Sequence, residues 1–112
     1  SELKKMATMA EAHGVPLAPH DHSGPVNLWA SAHVLLNVPN ASLMETPRVF
    51  YETYYDELVE GEPILRDGHL HLPQGPGLGI RLRPEVLSRD DATVKRTTED
   101  DVAPRETWRG MH

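Results

Sequence analysis

His20 follows directly on the apolar run Val15-Pro16-Leu17-Ala18-Pro19, and Glu45 follows directly on Ala41-Ser42-Leu43-Met44. An imidazole has an unperturbed pKa of ~6.5, so it can give or take a proton near neutrality and serve as a general acid or base. A carboxyl group placed one structural unit later would face the same mouth. If the two runs are consecutive strands of an α/β barrel, both groups stand at C-terminal strand ends, where that architecture collects its chemistry. The plainer alternative is that His20 hydrogen-bonds within its own loop and Glu45 is a solvated rim residue.

His20-x-His22 also invites a metal reading, because alternating histidines can reach one ion from an extended backbone. Further ligands are not signposted, and His69-x-His71 has the same spacing without more support, so solvated side chains explain both pairs better. His13 and His33 read as helix-surface or internally satisfied groups. The glycines of Gly75-Pro76-Gly77-Leu78-Gly79 lack the Lys and the strand-to-helix setting of a phosphate loop, which leaves a tight turn. Tyr51, Tyr54 and Tyr55 fall at helical spacing and are expected to pack.

These residues need elements to hold them. Leu3, Met6, Ala7 and Ala10 follow helical periodicity after a capping Ser1, with Gly14 in the place of a C-terminal left-handed residue, so a helix is predicted from Glu2 to His13. The two apolar runs suit short buried strands. Between them a second helix is predicted from Asn27 to Leu36, apolar nearly all round and therefore in need of cover on several sides. Helix, strand, helix, strand with short connections implies parallel strands in an α/β layer that two strands cannot complete.

Beyond Glu45 a helix is predicted from Val49 to Val59. A hairpin of Pro63 to Arg66 and His69 to Leu72 should then turn at Asp67-Gly68. A strand over Leu78 to Leu82 and a short helix from Pro84 to Ser88 complete the pattern. Residues 89–112 are acidic, poor in aliphatics, and read as a tail. The expected division is 1–60 for the last βα units, 61–88 for a separate segment and 89–112 for the tail.

The chain has 112 residues, no cysteine, six aromatic residues and a formal charge of −6. A core this small with no disulfide is expected to need a partner or a metal for stability. The negative charge and the lack of a basic stripe argue against nucleic acid, and no apolar run approaches the ~20 residues that span a bilayer. A cytoplasmic protein is the default expectation. Asn40-Ala41-Ser42 matches a glycosylation acceptor, but it leads into a strand and is read as chance.

The phrases MAEAHGVPLAPHDHSGP, ASAHVLLNVPNASLMETP and PQGPGLGIRL, in that order and spacing, resemble the last third of mandelate racemase/muconate lactonizing enzyme-like members of the enolase superfamily, especially the acid-sugar dehydratases. The resemblance runs from about Leu3 to Ser88. It implies an α/β fold: the C-terminal portion of a (β/α) TIM-like barrel, plus a hairpin segment that packs on an N-terminal α+β capping domain. It implies that His20 is the acid/base histidine at the end of the seventh strand, and that Glu45 is the substrate-binding carboxyl group after the eighth. A Mg2+ cofactor is implied as well, with its carboxylate ligands upstream and none in this segment. In such dehydratases a base removes the proton α to a carboxylate and the histidine protonates the departing β-hydroxyl; in racemases it exchanges the α-proton. The family often has Asn after the histidine, where this chain has Asp21.

The implied function is thus part of a Mg2+-dependent dehydratase or racemase acting on a carboxylate-bearing small molecule. The implied partners are the rest of the barrel, the capping domain and further copies in a homo-oligomer, with neither nucleic acid nor membrane. The alternatives are a non-catalytic barrel homologue, recognisable by loss of the upstream metal carboxylates, and a small histidine-based metal-binding module.

Overall fold

A computed structural model describes residues 2–61, 65–98 and 101. The first helix, α1, spans Glu2–Ala12 and turns Ala7 fully inward. It stops where the sequence places the stop. Gly14 adopts φ +66°, its N–H donates to the Glu11 carbonyl at 2.9 Å, and the Val15 N–H donates to the Ala10 carbonyl at 2.8 Å. Only a residue without a Cβ takes up that left-handed turn at little cost. The capping role expected of Ser1 lies outside the described residues.

Helix α2 spans Pro25–Leu35 and begins two residues before the predicted Asn27, because Pro25 occupies the first helical turn, where an absent N–H costs nothing. Its buried residues are Pro25, Leu28, Trp29, Ser31 and Ala32. Leu28, Trp29 and Ala32 join Tyr55 in the core, and Met44, Phe50, Leu65, Leu70 and Ile80 pack around them.

The two predicted strands do pair in parallel, but as two isolated bridges, Leu17 with Ala41 and His20 with Glu45. Pro16 and Pro19 remove backbone donors from the first strand, so no continuous ladder can form. The remaining bonds are Leu17 N–H to Asn40 O at 2.8 Å, Ser42 N–H to Leu17 O at 2.9 Å, Glu45 N–H to Pro19 O at 3.0 Å and Asp21 N–H to Glu45 O at 2.8 Å. Two residues separate Leu17 from His20 and three separate Ala41 from Glu45, so the second strand carries one extra residue, as in a β-bulge. The Asn40 side chain donates to the Ala7 and Val15 carbonyls at 3.1 Å each, tying this turn to α1.

The helix predicted from Val49 to Val59 is broken into α3 (Arg48–Thr53) and α4 (Tyr55–Leu58), with Tyr54 out of helical conformation at φ −122° and ψ −5°. Thr53 returns its hydroxyl to the Val49 carbonyl, and the break lets Tyr55 turn into the core, only 1% exposed. Val59 belongs to a strand instead: β1 (Val59–Glu60) pairs antiparallel with β4 (Arg81–Leu82), a shorter strand than the predicted Leu78 to Leu82. Strands β2 (Leu65–Arg66) and β3 (His69–Leu70) form the predicted hairpin, with Asp67 and Gly68 both at positive φ as a two-residue turn requires. Pro63 and Ile64 of that prediction lie outside the described residues. Pro84–Ser88 is helical but of the 3-10 kind.

The strand pair is uncovered on part of its apolar surface, with Val15 and Leu43 about half exposed. The chain's 9114 Å2 of accessible surface exceeds the roughly 6,200 Å2 of a folded monomer of its mass. Residues 89–98, without helix or strand and exposed throughout, contribute to that excess.

Candidate active site

The parallel bridge between His20 and Glu45 makes the two residues direct neighbours, so their side chains leave the strands on the same side. The extra residue in the second strand decides this, because an unbroken register would have set Met44 opposite His20. Met44 instead packs against the core. His20 Nδ1 and Glu45 Oε2 lie 3.3 Å apart, with the side chains 53% and 66% exposed. An imidazole held through Nδ1 has Nε2 left to exchange a proton with a bound molecule. The two residues singled out from the sequence are therefore together at one open mouth. Two surface cavities of about 340 and 790 Å3 open elsewhere, the first beside Leu36, Leu43 and Leu70, the second beside His71 and Gln74.

His22 extends the site in a way the spacing alone did not convey. Its ring stacks on His20 with centroids 5.7 Å apart and meets Phe50 at 5.4 Å. Phe50 in turn touches Tyr54 and Tyr55, so the exposed imidazoles rest on an aromatic base. Among the described residues no group of three or more His, Asp and Glu gathers to hold a metal ion. Neither a magnesium site nor a His20–His22 metal module is shown by the described residues. His69 Nδ1 contacts the Asp67 carbonyl at 2.8 Å within its own turn, and His33 Nε2 contacts the Leu78 carbonyl at 3.2 Å. His69 is thus satisfied within its own turn and His33 by a carbonyl 45 residues away in the chain.

Asp21, marked in the sequence only as standing where the family often has Asn, proves to be buried. Strand alternation turns it away from His20 and into the protein, where it is 0% exposed. Its Oδ1 accepts from Asn27 Nδ2 at 3.0 Å and from the Ser23 N–H at 3.3 Å, while Oδ2 accepts from the Tyr55 hydroxyl at 2.8 Å and from Thr46 Oγ1 at 3.5 Å. A carboxyl group taken out of water needs such partners. Burial, followed by the hydrogen bond to Asp21, pushes the Tyr55 phenol well above its ordinary range. The alternation of His20 with Asp21 was the available signal: an ionisable residue one step from an outward-facing one in a strand must face inward.

Comparisons with known proteins identify the family of the chain. The model of the enolase C-terminal domain-like family covers residues 1–86. A D-xylonate dehydratase of Haloferax volcanii is 34% identical over 72% of this chain and 19% of its own length. A D-galactonate dehydratase of Ralstonia pickettii is 36% identical over 97% of the chain and 28% of its own length. Among solved structures, an enolase of the mandelate racemase subgroup from Agrobacterium tumefaciens superposes with a TM-score of 0.63 at 43% identity, over 75% of this chain and 22% of that one. The chain thus spans 19% to 28% of the length of these relatives. Among its described residues, no helix is long and apolar enough to cross a membrane.

Proposed function

Because this chain belongs to the enolase C-terminal domain-like family, with the TIM-barrel type of fold of that superfamily, we propose that it contributes one wall of the active site of a sugar-acid dehydratase. The observation that carries this reading is the His20–Glu45 bridge, which brings a proton-exchanging group and a carboxyl group to one strand-end mouth. His20 acts as the general acid that delivers a proton to the departing β-hydroxyl. Glu45 holds the ring through Nδ1 and offers its other oxygen to the substrate. The substrate is a polyhydroxy carboxylic acid, in keeping with the sugar-acid dehydratases among the relatives.

Bound magnesium would supply stabilisation of negative charge. Its ligands, and the base that removes the α-proton, belong to barrel strands outside the described residues. The same strands would cover Val15 and Leu43, and the β2–β3 hairpin would rest on a capping domain.

The test uses the full-length protein. His20→Asn should lower dehydration by about 10²–10⁴-fold, the usual contribution of general acid/base catalysis, while exchange of the α-proton with solvent deuterium persists. Loss of exchange from one enantiomer alone would indicate a racemase instead. Near-normal turnover would overturn the role of His20 in either reaction.

A further inference from the structure

We propose that Asp21 is a positioning residue that sets the geometry of His20 against Glu45 through a buried hydrogen-bond junction. The proposal rests on the reading of that pair as the acting groups. Asp21 is the chain neighbour of His20, and Thr46, which donates to Asp21 Oδ2, is the chain neighbour of Glu45. The Asp21 N–H also donates to the Glu45 carbonyl at 2.8 Å. One carboxyl group therefore fastens both strand ends at the residue next to each acting side chain. Asn27 on α2 and Tyr55 on α4 complete the junction, so the helices that follow the two strand ends hold it from either side.

Folding alone does not call for this arrangement. Apolar groups of the same shape can replace a buried hydrogen-bonded set at nearly no cost in stability, whereas hydrogen bonds of fixed direction specify one arrangement. The strands cannot supply that precision, since their pairing is reduced to two bridges and the register shifts between them. The Asp21 junction sits next to the second bridge and replaces the absent ladder as the constraint on it. An error of 1 Å in a catalytic group can cost about 10²-fold in rate, so a constraint here has a measurable effect.

The experiment measures, in the full-length protein, dehydration, α-proton exchange with solvent deuterium, and the unfolding midpoint. His20→Asn serves as the reference that separates the two rates. Tyr55→Phe, which removes one hydroxyl from the junction, should lower dehydration about tenfold and leave exchange within about twofold. Asp21→Asn should retain most of the dehydration, because its amide can accept from Asn27 and Ser23 and donate to the hydroxyls of Tyr55 and Thr46. If Tyr55→Phe does not fold, Asn27→Ala is read by the same ratio. Parallel loss of both rates, following the loss of folded protein, would make Asp21 purely structural and end the proposal, as would unchanged rates in Tyr55→Phe. If His20→Asn itself fails to separate the rates, the functional reading falls, and the role of Asp21 with it; failure of the inference alone shows as separation by His20→Asn but not by Tyr55→Phe.

Discussion

His20 and Asp21 are consecutive residues, yet one stands more than half exposed beside Glu45 while the other is sealed among Tyr55, Asn27, Ser23 and Thr46. The exposed pair has access to a substrate and little to hold it in place; a single contact at 3.3 Å in water fixes long side chains weakly. The buried carboxyl group has the opposite balance, with no access and four donors. Strand alternation produces the contrast, since neighbouring residues face opposite sides of the sheet. One dipeptide thus divides the work between reaction outside and alignment inside.

The contrast can be tested by stability measurements on the full-length protein. The largest effect is expected from Asp21→Ala, which leaves the Tyr55 hydroxyl, the Asn27 amide and the Ser23 N–H without this acceptor. The buried Tyr55 hydroxyl left unpaired costs about 1–3 kcal/mol, whereas the exposed Asn27 and Ser23 can turn to water, so a loss of about 1–3 kcal/mol in denaturant unfolding is expected, and no measurable loss would break the comparison.

A smaller effect should appear in alkali. Folded Tyr55 holds its proton more tightly than an unfolded tyrosine, which titrates near ~10. The unfolded state therefore releases that proton first as pH rises. The stabilisation is fully present below pH ~10 and declines above it. A thermal midpoint that falls above pH ~10 in the native protein should fall less in Tyr55→Phe; identical slopes would show that the Tyr55–Asp21 contact carries no such linkage. The smallest effect is expected from His20→Ala and Glu45→Ala, both at exposed positions, whose unfolding midpoints should match that of the native protein within experimental scatter. A clear downward shift for either would show that the rim pair also holds the fold.

Much of the local architecture was legible in the residues. The end of α1 at Gly14, the Asp67-Gly68 turn and the parallel sense of the strand runs each follow from chemistry within a few positions. The break at Tyr54 was not legible, because the periodicity of residues 49–59 is that of one helix. The gain that interrupts it, burial of Tyr55 with its hydroxyl on Asp21, lies 34 residues away in the chain. Val59 was misplaced for the same reason, since its strand partner is Leu82.

The candidate site divides along the same line. The sequence by itself determined that a histidine and a carboxyl group end two consecutive apolar runs, because residue type and spacing are properties of the chain. Only the tertiary structure decided that Glu45 rather than Met44 stands opposite His20, since one extra residue between the two bridges moves every later pairing by one position. It alone also revealed Asp21 as the junction. A buried carboxyl group is tolerated only where donors converge, and Asn27, Thr46 and Tyr55 converge through the packing of separate elements, which no short-range pattern encodes.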